Sequence, residues 1–308
     1  MENIYRPEGT LINTLENYGY TSDLALTERA MKEGVILEGR AVKCDSEHNL
    51  HVEFGSLRGI IPYAETLYSP SGEPVKDIAV ITRVGKNVCF KVKDIETTSS
   101  GTRILLSRRD AQRECCENYI RHLQAGDVIE AAVTHMEQFG AFCDIGCGMI
   151  ALLPIDCISV SRISHPAERF TVGQKIRCVI KNTEPDICRI TLTHKELLGT
   201  WEENAALFSA GETACGIVRS VEPYGIFVEL TPNLAGLAEY CEGVEVGQTA
   251  AVYIKSIIPE KMKIKLVIVD AGDSFTCTRH LRYTFDGEHM DGWRYSPGDC
   301  VKEIYTVF

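Results

Sequence analysis

Short runs in which apolar and polar residues alternate recur along the chain, between Gly, Pro and Asn/Asp turn signals. Clear examples are residues 129–133, 176–180, 214–218 and 250–254. A period of two predicts β-strands with one buried face and one exposed face. About five such strands in each stretch of roughly 70 residues predict small closed barrels rather than open sandwiches.

These runs belong to a repeat that is visible when the chain is compared with itself. Four landmarks occur twice in the same order: an opening glycine, an aromatic-Gly-x-aromatic cluster, Val-Gly-Gln, and Arg or Lys followed by Ile-x-Leu. They begin at Gly126, Phe139, Val172 and Arg189 in one copy and at Gly211, Tyr224, Val246 and Lys263 in the next. The first two offsets are 85 residues and the last two are 74, so the later copy is 11 residues shorter.

A weaker copy precedes these two. It opens at Gly34, has Gly-Ile-Ile-Pro at 59–62 and closes with Arg-Ile-Leu-Leu-Ser at 103–107. In place of the aromatic cluster it reads Asp-Ser-Glu-His-Asn at 45–49, which predicts a plain hairpin turn. We therefore expect a barrel without the aromatic pair.

Helical patterns connect the copies. Ser107 with Asp110, and Thr193 with Glu196, fit the capping box, in which a hydroxyl and an acidic side chain satisfy free amides at a helix start. After the second box an apolar stripe continues at helical spacing through Trp201. We interpret Trp201 as pinning this linker helix to a barrel rather than as a base-stacking residue.

Composition places the chain among folded globular proteins. With 308 residues, 44% hydrophobic and 24% charged, it is long enough for two or three domains. It has no run of about 20 apolar residues, and residues 1–7 lack the apolar segment of a signal peptide. We therefore expect a cytoplasmic protein with no membrane partner. Most of the thirteen cysteines lie in apolar runs, so we expect free thiols that act as small core residues.

The charge narrows the class of ligand. The net charge is −11. Basic residues (Lys and Arg) and acidic residues (Asp and Glu) number 10 and 10 in residues 33–108, 7 and 9 in 124–196, and 5 and 8 in 211–270. Phosphate contacts come from Lys and Arg. A chain without a broad basic face must combine local cations with stacking on aromatic rings, which favours single strands over duplexes.

The two aromatic clusters are the candidate chemistry. An exposed ring on a barrel offers a base a stacking surface of about 1–3 kcal/mol with little sequence preference. We expect the glycine between the rings to leave space for a base. Residues three apart point to opposite faces of a straight strand, so both rings face outward only if a turn or bulge intervenes. The alternative is that one or both rings face inward.

The second and third copies resemble the S1 RNA-binding domain, an OB-fold module named after the large S1 protein of the bacterial small ribosomal subunit. The resemblance rests on the four landmarks above, and the first copy shares only the frame. It implies RNA contacts at Phe139, Phe142, Tyr224 and Phe227, with Arg189 and Lys263 as basic residues before the last strand.

The sequence departs from the family at one position. Where the family often carries a histidine, this sequence has Pro154 in the second copy and Glu239 in the third. An acidic side chain repels phosphate, so we expect weaker RNA binding by the third barrel. Lys181 and Lys255 are further candidate phosphate contacts, although a charge on a strand is more often simply solvated.

The predicted fold class is mainly β, with three tandem five-stranded OB-fold barrels of the S1 type joined by short helices and a small β-rich extension. The predicted segments are a helical lead-in at 1–32, a degenerate barrel at 33–108, a linker helix at 109–124, a barrel at 125–193, a linker helix at 194–210, a barrel at 211–270 and the extension at 271–308. In the extension, alternating residues from Phe275 to Phe285 predict a strand. We expect this extension to cap the third barrel.

The leading hypothesis is a protein of translation or RNA metabolism that binds single-stranded mRNA or rRNA. The alternative is a scaffold whose barrels dock on a protein partner, with the small ribosomal subunit or an RNA-processing protein as candidates. We predict no enzyme activity, because clustered carboxylates and a nucleophile–base pattern are absent from the sequence. We expect no cofactor and no metal, since the spacing of Cys277, His280, His289 and Cys300 is too irregular for a zinc site.

Overall fold

The computed structural model describes residues 5–98, 101–272 and 281–308, and it contains three closed barrels of five strands each. The first barrel has β1 Leu37–Cys44, β2 Leu50–Phe54, β3 Leu57–Ile61, β4 Asn87–Thr98 and β5 Gly101–Ser107. The second has β6 Val128–Glu137, β7 Gly140–Asp144, β8 Ile150–Pro154, β9 Lys175–Glu184 and β10 Arg189–Thr193. The third has β11 Thr213–Glu222, β12 Gly225–Thr231, β13 Leu234–Ala238, β14 Thr249–Ile258 and β15 Lys263–Gly272.

The three barrels share one topology. In each, the first three strands form an antiparallel meander, the fifth strand runs parallel to the third, and the fourth closes the barrel between the fifth and the first. Closure leaves no unpaired strand edge. The predicted mainly β class with tandem five-stranded barrels is confirmed.

Alternation along the strands builds a separate core inside each barrel. Inward residues such as Leu50, Phe90 and Leu106 in the first barrel are fully buried. Ala141, Ile180 and Leu192 fill the second barrel, and Val228, Ile254 and Leu266 fill the third. Each buried Leu, Ile, Val or Phe side chain contributes about 1.5–3 kcal/mol by leaving water. The barrels are therefore rigid platforms for the residues on their outer faces.

Within the described residues, α1 Leu15–Thr21 and α2 Leu24–Glu33 precede the first barrel, and α3 Asp77–Ile81 lies between its strands β3 and β4. α4 Arg108–Asn118 connects the first barrel to the second, and α5 Trp201–Ala205 connects the second to the third. At the start of α4 the Ser107 hydroxyl accepts the Asp110 N–H at 2.9 Å, which confirms the hydroxyl half of the predicted capping box. Trp201 lies in the core of the third barrel, and its predicted packing role is confirmed.

The predicted single linker helix at 194–210 is wrong. The Thr193 hydroxyl donates to Glu196 instead of capping a helix, and only a short 3₁₀ helix, Lys195–Leu198, follows. Gly199, at φ 85°, ends it because a left-handed backbone cannot continue a helix. The capping box lies at Thr200 instead, and it opens α5.

The N-terminal segment joins the first barrel to the second. Glu8 accepts hydrogen bonds from Arg108 Nε at 2.7 Å and from the N–H of Cys89, while its own N–H donates to Asp144 Oδ2 at 2.8 Å. Arg108 and the Glu8 carboxylate are almost fully buried. One short segment thus contacts β4, α4 and the end of β7.

A second buried cluster joins the second and third barrels. Glu229, on β12, has a fully buried side chain and accepts from Arg169 Nη2 at 2.5 Å and from Arg219 Nε at 2.7 Å. Arg219 also pairs with Glu168. Nearby, Asn233 accepts the Val160 N–H, and its amide donates to two carbonyl groups of the linker. These contacts fix how the two barrels sit against each other.

The C-terminal extension forms a two-stranded sheet of β16 Gly292–Arg294 and β17 Tyr305–Val307. Part of the predicted strand, including Phe275, lies outside the described residues, and residues 281–285 do not form a strand. Cys277 and His280 also lie outside the described residues.

The extension packs on the third barrel, as expected, and it also contacts the second barrel. Tyr295 donates to the Asn233 carbonyl at the third barrel, but Arg177 of the second barrel donates to the Phe285 carbonyl at 2.6 Å. Tyr283 lies against His194, whose pKa is lowered to about 4 by burial. The extension therefore spans both barrels.

The cysteines mostly match the expectation, with one exception. Cys143 and Cys178 are buried free thiols in the core of the second barrel. Cys116 and Cys188, however, form a disulfide between α4 and the turn before β10, so the prediction of free thiols is wrong for this pair. Within the described ranges, no helix is both long and apolar enough to cross a membrane.

Candidate nucleic-acid interface

The aromatic pair of the second barrel lies on its outer surface. Phe139 occupies the two-residue turn between β6 and β7 and is 57% exposed, while Phe142 on β7 is half-buried. The ring centroids are 5.9 Å apart and the planes are perpendicular, an edge-to-face contact. Because Phe139 belongs to the turn and not to the strand, the alternation rule does not separate the rings. The structure thus supplies the turn that an outward pair requires.

The third barrel repeats this arrangement. Tyr224 lies in the turn between β11 and β12 and is 68% exposed. Phe227, on β12, is half-buried, and its centroid is 6.3 Å from that of Tyr224 at an interplanar angle of 84°. Both barrels therefore present one open ring at the tip of a hairpin and one ring on the adjoining strand.

The glycine between the rings has a different role from the expected one. A Cβ atom built on Gly140 would lie 2.5 Å from the Leu153 carbonyl oxygen, and one on Gly225 would lie 2.5 Å from that of Ala238. The neighbouring strand, and not a base, occupies the space that each missing side chain leaves. The expectation of a base-sized gap is wrong, because the glycine allows the third strand to approach the hairpin.

Strand register places Phe142 in a row of outward side chains. His135 on β6 lies opposite Phe142, Phe142 lies opposite Leu152 on β8, and Leu152 lies beside Thr191 on β10. We call this set the outer row of the second barrel. The outer row of the third barrel consists of Ser220, Phe227, Leu237 and Lys265. The ring on the strand is thus flanked by an apolar residue in both barrels.

The predicted basic residues before the last strands lie beside the outer rows. Arg189 comes two residues before Thr191, so both point outward and lie about 7 Å apart along β10. Lys263 has the same relation to Lys265 on β15. Arg189 is exposed and lies 3.7 Å from Glu184, a weak surface pair that leaves its guanidinium open to other anions.

Lys181 and Lys255 occupy bulges on the fourth strands, where the register shifts by one residue. The Lys181 ammonium lies 3.1 Å from Cys157 Sγ, in the 3₁₀ turn after β8, and this hydrogen bond raises the pKa of Lys181. Lys93 takes the same place in the first barrel and pairs with Glu65 of the corresponding turn. The bulge lysine thus supports a turn in two barrels. As phosphate contacts, Lys181 and Lys255 stay predictions.

The first barrel carries a histidine, and not a phenylalanine, at the equivalent site. Register places His51 where Phe142 and Phe227 stand, and its Nε2 lies 3.1 Å from Asp45 Oδ2. Hydrogen bonds, led by the Asn49 N–H, lower the pKa of Asp45 to about 2. A charged carboxylate at this position opposes phosphate.

Among the outer-row residues that were not predicted contacts, His135 and Lys265 have side chains suited to RNA. His135 lies across the hairpin from Phe142, and pairing residues outward from the turn would have found it, because Glu137 lies opposite Gly140. Lys265 shares the outward face with Lys263, two residues earlier, and strand alternation alone would have indicated it.

The second barrel matches a known family of domains. Residues 122–195 match the sequence model of the family described as S1 RNA binding domain. The match spans the whole of the second barrel. The matched residues include Phe139, Phe142, Lys181 and Arg189, so the candidate site of the second barrel lies inside the matched part.

Longer stretches of the chain are similar to ribosomal proteins. The small ribosomal subunit protein bS1 homolog of Bacillus cereus is 30% identical over 237 residues, which cover 71% of this chain and 60% of that protein. The small ribosomal subunit protein bS1 of Staphylococcus aureus is 30% identical over 229 residues, or 68% of this chain and 56% of that protein. The chain thus spans less than two thirds of the length of these relatives.

A solved structure is also similar in part. The crystal structure of a multidomain protein with nucleic acid binding domains from Streptococcus pneumoniae is 15% identical, with 77% of this chain and 74% of that chain covered. The TM-score is 0.24, and this likeness carries no argument for function.

Proposed function

We propose that this chain is a cytoplasmic, non-catalytic protein that binds single-stranded RNA through its second and third barrels, in translation or RNA metabolism. The small ribosomal subunit is the protein partner that the similarity to bS1 proteins favours. The match of residues 122–195 to the S1 RNA binding domain supports RNA as the class of ligand.

One observation carries the proposal: the same outward ring pair occurs on two barrels of one chain. Phe139 and Tyr224 are more than half exposed although both are large and aromatic. A single exposed ring needs no explanation, but an exposed ring at the same hairpin tip of two barrels supports a shared ligand surface. One strand separates each pair from a cation, Arg189 or Lys263, that can contact the phosphate backbone.

The geometry favours unpaired bases. Stacking requires that the face of a base is open, which is true of single strands and not of the interior of a duplex. The acidic chain lacks the broad basic surface that duplex binding uses. Binding should therefore tolerate many sequences and depend on salt.

The test is equilibrium binding of the full chain to a labelled oligouridine of about 20 nucleotides and to a duplex of equal length. We expect retention of the single strand at about 150 mM salt and much weaker binding of the duplex. If about four lysine and arginine side chains contact phosphate, the slope of log affinity against log salt is about −3.

The contradicting result is a chain that retains neither RNA at this salt concentration. That outcome would favour the scaffold hypothesis, in which the barrels dock on a protein. Equal affinity for single strand and duplex would remove the stacking mechanism, because rings at hairpin tips cannot reach the faces of paired bases.

A further inference from the structure

The outer row of the second barrel contains a third ring that no landmark of the repeat includes. The His135 ring lies nearly parallel to the Phe142 ring, at an interplanar angle of 21° and a centroid separation of 6.0 Å. Rings in direct face contact lie about 3.5–4 Å apart, so these two are displaced sideways. Sideways displacement leaves part of each ring face open.

The His135 ring is both held and accessible. Its Nε2 lies 2.7 Å from Glu137 Oε1, and 62% of the His135 side chain is exposed. A residue that served only to pack Phe142 would be covered by its neighbours. A ring that is already held in place and exposed loses little conformational freedom when a base binds, and it can accept the base without rearrangement.

Of the three barrels, only the second has a ring at the position of His135. Register places Ser220 at the equivalent position of the third barrel, opposite Phe227. In the first barrel the position holds Lys43, opposite His51. The three barrels thus share a frame and differ at this point, where a histidine, a serine and a lysine stand in turn.

We propose that His135 is a third base-stacking residue, so that the second barrel stacks one more base of single-stranded RNA than the third barrel does. The proposal rests on the proposed function and goes beyond it by making the two sites unequal in size. Phe139, Phe142 and His135 then form one continuous surface across the β6–β7 hairpin.

The first test isolates the second barrel within the full chain. A parent carrying Tyr224→Ala and Phe227→Ala should bind oligouridine through the second barrel. On this parent, His135→Ser introduces the residue of the third barrel, and we expect a loss of affinity of about fivefold or more. His135→Phe keeps a ring and should stay within about twofold of the parent.

A fluorescent variant separates contact with a base from support of Phe142. In His135→Trp, a stacked base should quench the new indole emission as RNA is added. Tyr253→Trp is the matched control, because Tyr253 is an exposed ring on β14 outside the outer row. Its emission should not change with RNA.

The third barrel offers the reciprocal change. Glu222 stands where Glu137 stands in the second barrel, each opposite the glycine that opens the next strand. Ser220→His, placed on a Phe139→Ala and Phe142→Ala parent, should therefore raise the affinity of the third barrel by about fivefold.

The outcomes distinguish the two claims. If the parent binds RNA and His135→Ser has the same affinity, or if the indole of His135→Trp is not quenched, the third stacking residue is refuted while the proposed function stands. If the unmutated chain does not bind oligouridine, the proposed function itself fails, and this inference fails with it.

Discussion

Replacing Phe139 and Phe142 together with alanine is expected to weaken the binding of single-stranded RNA at least about 30-fold. Each ring can stack one base for about 1–3 kcal/mol, and the lower value for two bases amounts to about 30-fold. The ring centroids are 5.9 Å apart in an edge-to-face contact, so removing one ring also removes a contact that orients the other. Fluorescence anisotropy with labelled oligouridine measures the change.

Controls separate lost contact from lost structure. Phe139 is mostly exposed and contributes little to the core, whereas Phe142 is half-buried, so thermal melting should accompany each binding curve. Tyr253→Ala removes an exposed ring outside the outer rows and should leave affinity within about twofold. A folded double variant with the affinity of the unmutated chain would show that this face does not bind RNA.

The Glu229→Ala change is expected to lower the free energy of unfolding by about 3–5 kcal/mol. The substitution removes the carboxylate that Arg169 and Arg219 share, and the two guanidinium groups remain only 2% and 10% exposed. Removal of a buried carboxylate is costly because water cannot replace it beside the guanidinium groups, although Arg219 keeps its pair with Glu168. Urea denaturation measures the loss.

The Glu229→Ala change should also weaken RNA binding, by an amount that depends on the length of the RNA strand. Glu229 holds the second barrel against the third, so a strand long enough to reach both sites should lose affinity, while a short strand bound to one barrel should not. Glu242→Ala, at an exposed acid of the third barrel, is the matched control and should alter stability by less than about 0.5 kcal/mol. Equal stability of Glu229→Ala and the unmutated chain would contradict the assigned role of the cluster.

The sequence predicts the barrels well because the signal repeats. Strand alternation and the offsets of 85 and 74 residues identify corresponding positions, and the structure gives these positions the same register. The hairpin at 45–49 of the first barrel is also confirmed, since β1 ends at Cys44 and β2 begins at Leu50. Such features depend on neighbours in the chain, which a sequence displays directly.

The sequence predicts less wherever distant segments meet. Nothing local indicates that Glu229 would lie between Arg169 and Arg219, or that Cys116 would reach Cys188 across 72 residues. The roles of Gly140 and Gly225 were misjudged for the same reason, because the atoms that fill the space belong to another strand. Gly199 is the exception, since a glycine inside a helical pattern is a visible stop signal.

The relative strength of the two sites remains a prediction. Glu239 led to the expectation of a weaker third barrel, and the ring of His135 points the same way. Lys265 opposes it, because the outer row of the third barrel carries a cation where the second barrel has Thr191. The two effects are distinguished by comparing the RNA affinity of the Tyr224→Ala, Phe227→Ala variant with that of the Phe139→Ala, Phe142→Ala variant.

The central claim is that RNA lies on the outer rows of the second and third barrels. Photocrosslinking of the full chain to oligouridine that contains 4-thiouridine, followed by peptide mass spectrometry, tests it most directly. The predicted result is crosslinks in the β6–β7 hairpin, residues 128–144, and in the β11–β12 hairpin, residues 213–231. Crosslinks confined to the first barrel or to residues 281–308 would contradict it.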